Sequence, residues 1–259
     1  MGIINLTDDS FHSGSRAKSL MEVLKLAEKH ITGGAVFLDL GAASTRPGAK
    51  LSTPQDELPV LLPAIEALRK EFPGVYLSVD TYHSFVARET TSAGADMIND
   101  ISAGRFDPEM FKTMADLRVP YVLMHSIETP ETMQMNPHYE DVVMDVLKQL
   151  DEKRKQLLAL GLADILIDPG FGFGKTLEHN FRLMAGLQNF QLFNAPVLVG
   201  ISRKSMITKT LNLSSDDALN GTTALNMVAL SKGAHILRVH DSKEAFETIQ
   251  LFNQMSRFQ

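Results

Sequence analysis

Polar side chains that could do chemistry follow short apolar segments at intervals along the chain. They are Asn5, Asp39, Asp80, Asn99 with Asp100, His125, Asp168, Ser202 with Lys204, and Arg238 with His240. A single aspartate after a strand is as often the cap of the next helix as a functional group. Eight positions in the same phase are hard to explain as caps alone, so the pattern indicates one shared site.

One part of this set consists of hydrogen-bond acceptors. Asp80, Asn99 and Asp168 offer two carboxylates and an amide. Such groups suit a flat heterocycle that presents several N–H groups on one edge, such as a pterin or a guanine.

The other part consists of cations and donors. Arg46, Arg238 and His240, with the Asn5 amide, suit a phosphate or a diphosphate. The sequence contains no cysteine, no His-x-His pair and no clustered acidic motif, so it does not predict a tightly held transition metal. A Mg²⁺ that arrives with a diphosphate would need only one or two protein ligands.

These residues need a scaffold that brings strand ends together. Short β-rich apolar segments alternate with helical patterns, and the predicted strands span residues 2–5, 35–39, 75–80, 96–99, 121–125, 165–168, 197–200 and 236–240. Eight strand–helix units predict a (β/α)₈ barrel, an α/β fold in which all the C-terminal strand ends meet at one face. A doubly wound open sheet is the alternative.

Helix signals fall between these strands. Residues 53–56, Thr-Pro-Gln-Asp, predict a capped helix start with proline in the first turn. Residues 140–160 have leucine and valine at helical spacing and end before a glycine. Residues 241–244 predict the start of a last helix.

A glycine-rich segment, GFGFGKT at residues 170–176, superficially resembles a phosphate-binding P-loop. That motif needs four residues between its glycines, whereas three separate Gly170 from Gly174, and Pro169 precedes them. We therefore interpret the segment as a flexible loop after a strand that ends at Asp168, with Phe173 packed beside a ligand.

Composition excludes several classes of protein. The chain has 259 residues, of which 44% are hydrophobic and 22% charged, and we expect a single packed domain over residues 1–259. The net charge of −6 argues against a broad nucleic-acid surface. No apolar run is long enough to span a membrane, and no signal peptide is seen. The absence of cysteine is consistent with a reducing cytoplasm.

Seven stretches together resemble the dihydropteroate synthase family, in family order and over nearly the whole chain. They are MGIINLTDDSF, DLGAASTRPGA, SVDTY, GADMINDISAG, DPGFGFGKTLEHN, PVLVGISRKSM and ILRVHD. The resemblance implies a (β/α)₈ barrel that joins 6-hydroxymethyl-7,8-dihydropterin diphosphate to p-aminobenzoate and releases pyrophosphate. It also implies a requirement for Mg²⁺, inhibition by sulfonamides, which imitate the aminobenzoate, and a homodimer.

The resemblance implies roles for individual residues as well. The pterin would be held by Asp80, Asn99, Asp168 and Lys204, in a pocket lined by Ile101, Met124, Phe173 and Gly200. The diphosphate would meet Asn5, Arg46, Arg238 and His240, with Asn5 serving the metal. The aminobenzoate site would be shaped by Phe11, Thr45, Pro47 and Ser205.

The first loop departs from the family pattern. Asp8 stands where the family usually has proline, and HSGS stands in place of SDGG. Two other functions are compatible with part of the set: a methyltetrahydrofolate-dependent methyltransferase, which would share the acceptors but not need the cations, and a non-catalytic pterin-binding relative.

Overall fold

The computed structural model describes residues 1–6, 16–43, 51–127 and 137–258, with residues 16–19 described by their backbone only. Eight strands lie within these residues. They are β1 (Gly2–Asn5), β2 (Phe37–Gly41), β3 (Tyr76–Asp80), β4 (Met97–Asp100), β5 (Tyr121–Met124), β6 (Ile165–Asp168), β7 (Leu198–Val199) and β8 (Ile236–Leu237). Each overlaps a predicted strand.

The strands close into a barrel. Strands β1 to β6 pair in parallel in chain order, and β7 pairs in parallel with β8. Bridges between Ile167 and Val197 and between Gly2 and Val239 join the two groups at both seams. This closure confirms the (β/α)₈ barrel and is incompatible with the open-sheet alternative.

The last strand is shorter than predicted. Residues 236–240 were expected to be one strand, but the ladder with β7 ends at Leu237. Beyond it, the Val239 N–H donates to the Met1 carbonyl, and the Val239 carbonyl accepts from the Ile3 N–H. The Arg238 N–H still donates to the carbonyl of Val199, the last residue of β7, so the ladder ends where β7 ends, and Val239 pairs with β1 to close the barrel.

Helices surround the strands in the described part of the chain. They are α1 (Arg16–Thr32), α2 (Pro54–Glu71), α3 (Ser84–Ser92), α4 (Met110–Leu117), α5 (Val142–Ala159), α6 (Leu177–Ala185), α7 (Ser205–Leu211), α8 (Leu219–Ser231) and α9 (Ser242–Ser256), with a 3₁₀ helix at Leu187–Phe193. No described helix is both long enough and apolar enough to cross a membrane.

The predicted helix starts at residues 53–56 and 241–244 are confirmed in position. At α9 the Asp241 side chain makes no capping hydrogen bond, because its carboxylate pairs with Arg203. At α2, the Asp56 carboxylate accepts from the Thr53 N–H, which is the return bond of a capping box, and it also accepts from the Thr53 hydroxyl. At α5, Asp141 accepts hydrogen bonds from the Val143 and Met144 N–H groups. These local contacts fix where each helix begins after its loop.

Buried side chains fill the barrel in layers. Met97, Val122, Leu166 and Leu198 pack together inside its N-terminal end. The main core lies between strands and helices and includes fully buried Leu38, Leu40, Leu61, Ile65, Leu68 and Leu77. Burying apolar surface stabilises such a core by about 25 cal/mol per Å². The rigid barrel leaves the C-terminal strand ends to carry polar groups.

Candidate active site

The three predicted acceptors meet at the C-terminal mouth of the barrel. Asp80 ends β3 and lies in register with Asn99 on β4, and Asp168 ends β6. All three are buried, with exposures of 7%, 3% and 5%. Because parallel strands end at one face, residues far apart in sequence form one polar floor.

The Asn99 amide is oriented by a neighbouring carboxylate. Its Nδ2 donates to Asp39 Oδ2 at 3.1 Å. Its Oδ1 is buried and accepts no hydrogen bond from the described residues. Leaving a buried acceptor unsatisfied costs about 1–3 kcal/mol. This oxygen is therefore suited to an N–H group of a bound ligand.

Asp39 organises the centre of this floor. It is fully buried, and its Oδ1 accepts from the Ser78 hydroxyl at 2.5 Å. Its Oδ2 accepts from both Asn99 and Arg238 Nε, the latter at 2.6 Å. The sequence placed Asp39 at a strand end but indicated no role, because its partners come from three other strand segments.

Arg238 bridges two carboxylates. Besides Asp39, it contacts Asp80 through Nη2, 2.9 Å from Asp80 Oδ2. The sequence grouped Arg238 with diphosphate ligands and Asp80 with heterocycle ligands. The structure joins the two groups, so a ligand at Asp80 lies beside the Arg238 guanidinium.

Burial shifts the pKa values of the two carboxyl groups of the polar floor, Asp80 and Asp168. It raises the pKa of Asp80 to about 7, against the opposing effect of the Arg238 charge. Burial also raises the pKa of Asp168, which the Lys204 ammonium opposes. Asp80 can therefore exchange a proton near neutral pH, which an exposed aspartate does not do.

Lys204 lies across the loop that follows β6. Its Nζ donates to the Phe171 carbonyl at 2.5 Å and lies 4.7 Å from the centre of the Phe173 ring, a cation–π contact. Burial lowers its pKa to about 8, against the opposing effect of Asp168. Ser205 follows as the exposed first residue of α7.

Apolar side chains form a wall beside these polar groups. Ile101 and Met124, both predicted to line the pocket, cluster with Tyr82, and Phe106 and Phe173 pack against them. The sequence analysis missed Tyr82 and Phe106. The only signal for Tyr82 was its position two residues after Asp80.

Gly200 leaves space beside the guanidinium. A Cβ atom at this position would lie 3.7 Å from Arg238 Cβ, in ordinary contact. The predicted lining role of Gly200 is consistent with this open position.

His240 and Asn5 occupy other parts of the mouth. His240 Nδ1 lies 3.1 Å from the Ser202 hydroxyl, and burial, reinforced by the Arg238 charge, lowers its pKa to about 4. His240 is therefore neutral near pH 7 and can donate or accept a hydrogen bond. The Asn5 side chain is exposed at the end of β1.

Two other strand-end residues maintain local structure. Asp100 accepts hydrogen bonds from the Ser102 and Gly104 N–H groups and from the Tyr121 hydroxyl, so it holds the turn after β4. His125 contacts Lys175, at 2.9 Å. Neither residue was assigned a site role.

Five positions named from the sequence lie outside the described residues. They are Asp8, Phe11, Thr45, Arg46 and Pro47.

The donor set fits a metal that arrives with its substrate. In the described ranges, no group of three or more His, Cys, Asp or Glu side chains could hold a metal ion. Asn5 offers a single exposed amide oxygen, a hard ligand that suits Mg²⁺ when a diphosphate supplies other oxygens. The residues thus fit a shared Mg²⁺ rather than a protein cage.

Comparison with known proteins agrees with this geometry. The model of the pterin binding enzyme family matches residues 1–240. The dihydropteroate synthase of Escherichia coli K12 is 42% identical over 253 residues, which cover 97% of this chain and 89% of the relative.

Solved structures of dihydropteroate synthases also superpose on nearly the whole of this chain. The Yersinia pestis dihydropteroate synthase in a sulfonamide drug complex superposes with a TM-score of 0.93 at 38% identity, covering 100% of this chain and 94% of that one. The Xanthomonas albilineans dihydropteroate synthase with 4-aminobenzoic acid gives 0.90 at 37%, covering 99% and 92%. With matches of this extent over nearly the whole chain, the chain belongs to the dihydropteroate synthase family of pterin binding enzymes.

Proposed function

We propose that this member of the dihydropteroate synthase family binds the pterin ring at the polar floor of Asp80, Asn99 and Asp168. Lys204 is proposed to contact the pterin as well. The enzyme is a transferase of folate biosynthesis, and it joins 6-hydroxymethyl-7,8-dihydropterin diphosphate to p-aminobenzoate. The observation that carries the binding mode is the buried, unpaired Oδ1 of Asn99 between two buried carboxyl groups. Such acceptors match N–H groups along one edge of a pterin.

The reaction breaks the bond between the exocyclic CH₂ and the diphosphate, and the electron pair leaves with the diphosphate. The electron-rich pterin stabilises the cation that develops at that carbon. The aryl amine then forms the new C–N bond and loses a proton. This route needs no protein nucleophile, so the site has to orient two substrates and stabilise separated charges.

Arg238 and His240 are proposed to meet the diphosphate, with Asn5 and Arg46. Arg238 already lies next to Asp80, so one guanidinium can contact both the pterin site and the leaving group. Asn5 would hold Mg²⁺, which neutralises charge that develops on the diphosphate.

Aminobenzoate is proposed to bind between the pterin and Ser205, with Phe11, Thr45 and Pro47 completing its site. The wall of Ile101, Met124 and Phe173, with Gly200, is proposed to line the pterin pocket. We further propose that residues 1–259 form one domain, that the protein is a homodimer and that it acts in the cytoplasm. Sedimentation analysis of the purified protein tests the dimer.

The decisive experiment is an assay of pyrophosphate release with both substrates and Mg²⁺. We expect release that requires p-aminobenzoate and that a sulfonamide inhibits competitively. Pterin binding without release would indicate a non-catalytic relative. Methyl transfer from methyltetrahydrofolate would indicate the methyltransferase alternative.

A further inference from the structure

A lysine is buried in the loop after β6, outside the set of residues assigned to substrates. Lys175 is 3% exposed, although lysine is almost never fully buried unless it is paired. Its Nζ lies 2.8 Å from the Gly170 carbonyl, 3.1 Å from the Phe173 carbonyl and 2.9 Å from His125 Nδ1. These three acceptors match the three N–H bonds of an ammonium group.

The tautomer of His125 is consistent with this arrangement. Its Nε2 lies 3.2 Å from Gln149 Oε1, which can only accept, so Nε2 carries the proton. Burial, and then the Lys175 charge, lowers the pKa of His125 well below its ordinary value, so the ring is neutral. Nδ1 is then an acceptor for Lys175. Burial lowers the pKa of Lys175 well below its ordinary value and the Asp168 charge opposes this, while three acceptors around Nζ favour the charged form, which has three N–H bonds to donate.

These contacts hold the loop against the end of β5. A Cβ atom on Gly170, whose φ is +70°, would lie 1.8 Å from the His125 carbonyl oxygen, so only glycine permits this approach. Gly172 and Gly174 also have positive φ. Three glycines give the backbone wide conformational freedom. The buried Phe171 side chain anchors the middle of the loop, and the lysine contacts fix the Gly170 and Phe173 carbonyls on either side of it.

The same loop presents groups to the proposed pterin site. It begins after Asp168, its Phe171 carbonyl accepts from Lys204, and the Phe173 ring lies against the Lys204 ammonium. Lys175 binds the carbonyls on either side of Phe171, those of Gly170 and Phe173. It therefore fixes the segment that positions Lys204, and its own Nζ makes its hydrogen bonds to this loop and to His125.

We propose that Lys175 is a positioning residue that, through His125, holds the loop of residues 169–174 in the form that binds the pterin substrate. The proposal rests on the proposed roles of Asp168, Phe173 and Lys204. Lys175 makes none of its three contacts with the diphosphate residues Arg238 and His240. Its loss should therefore affect pterin affinity more than turnover at saturation.

The test compares the full-length wild-type protein with Lys175→Met, which keeps the length of the side chain but removes the ammonium. Because Lys175→Met removes charged hydrogen bonds that hold the loop, we expect the KM for the pterin diphosphate to rise about ten-fold or more. We expect kcat to change much less. Hydrogen exchange, read by mass spectrometry, should accelerate at residues 169–176 and not in the barrel strands. Lys155→Met, at an exposed position on α5, is the matched control.

A second pair of variants tests the same contact without changing Lys175. His125→Asn places an oxygen near the position of Nδ1 and should keep pterin binding close to wild type. His125→Leu removes the acceptor and should behave like Lys175→Met. If Lys175→Met does not fold, this pair decides the question alone.

The proposal is overturned if Lys175→Met binds pterin like the wild type, with unchanged exchange at residues 169–176. It is also overturned if kcat falls at constant KM while the melting temperature drops, because that pattern is loss of folded enzyme. Equal pterin affinity in His125→Asn and His125→Leu would contradict it as well. Binding of free pterin and hydrogen exchange need no turnover, so these results are distinct from failure of the wild type to release pyrophosphate.

Discussion

Asp168, at the end of β6, holds the loop that follows it and is proposed to bind the pterin as well. Its Oδ1 accepts from the Gly170 N–H at 2.7 Å, and the Lys204 charge opposes the effect of burial on its pKa. An asparagine can keep the bond to Gly170 through its carbonyl oxygen. It cannot provide the charge that stabilises N–H donors of a bound pterin.

We therefore expect Asp168→Asn to weaken pterin binding at least about ten-fold, since a hydrogen bond to a charged group is worth about 1.5–3 kcal/mol. The fold should remain intact by circular dichroism. Calorimetric titration with a pterin measures the affinity. Asp164→Asn is the control, because Asp164 is exposed just before the opposite end of β6. Wild-type affinity in Asp168→Asn would contradict the assignment.

Arg238 has a structural effect in addition to its proposed contact with the diphosphate. It neutralises Asp39 and Asp80, which are both buried. Removing one partner of a buried ion pair leaves an uncompensated charge, at a cost of roughly 3 kcal/mol. A variant at this position therefore changes more than diphosphate binding.

We expect Arg238→Gln to lower the free energy of unfolding by about 3 kcal/mol near neutral pH. The deficit should shrink as pH falls to about 5. Loss of the Arg238 charge raises the pKa of Asp80 further, so the folded variant binds this proton at a higher pH than the wild type does, and at low pH the group is neutral in both. Urea denaturation at the two pH values measures this. Arg182→Gln, in an exposed pair with Glu178, should show no such change. A deficit independent of pH would argue against the role of Asp80.

At the scale of elements, one ion pair joins the loops after β7 and β8. Arg203 Nη2 lies 2.7 Å from Asp241 Oδ1, and its Nε lies 3.0 Å from Asp241 Oδ2. Arg203 has a φ of 58°, in the left-handed region that is costly for a non-glycine residue. The two hydrogen bonds to Asp241 help to hold Arg203 in this backbone conformation.

We expect Asp241→Asn to reduce the free energy of unfolding by about 1.5–3 kcal/mol, because it weakens a partly buried two-point pair. Asp216→Asn offers a closely matched control on the same arginine. Asp216 is 94% exposed and lies 3.4 Å from Arg203 Nη1, so its loss should have an effect near zero. Urea denaturation measures the free energy of unfolding of both variants. Equal losses in Asp241→Asn and Asp216→Asn would show that the Arg203–Asp241 pair does not stabilise the fold more than an exposed pair does.

The repeating pattern of strands and helices could be predicted from the sequence because it depends on local periodicity and capping. The capping box of α2 involves only residues 53 and 56, and it appears where it was expected. The floor residues Asp80, Asn99 and Asp168 were found because barrel topology places every strand end at one face.

What the sequence could not show depends on contacts between distant segments. Asp39 and Arg238 are separated by 199 positions, and nothing local indicates that they pair. The contact of Lys175 with His125 spans 50 positions. The early end of β8 likewise follows from where β7 ends and from barrel closure against β1, which no local signal encodes.

At the scale of the whole molecule, burial gives the protein two opposing responses to acid. It raises the pKa of Asp80 and Asp168, so their protonation favours the folded state as pH falls. It lowers the pKa of His30, His125 and His240, so protonation of these histidines favours the unfolded state. The measured stability against pH is the balance of the two sets, and single variants separate them.

His240 provides the clearest case, since its pKa falls to about 4 from the ordinary 6.5 through burial and the charges of Arg238 and Arg203, against Asp241. Between these pH values the unfolded chain binds a proton that folded His240 does not, so its contribution to stability is lost as pH falls. His240→Gln removes the titrating group, so this part of the loss of stability at low pH is absent in the variant.

We therefore expect the free energy of unfolding of His240→Gln, relative to wild type, to become more favourable as pH falls from about 7 to about 5, as measured by urea denaturation. The matched control is His138→Gln, because His138 is exposed, and its curve should run parallel to that of the wild type. If the His240→Gln curve is also parallel, the histidine is already solvated in the folded enzyme. In that case it would be as free to protonate as a surface group, and the acid response of the molecule would come from the other buried groups.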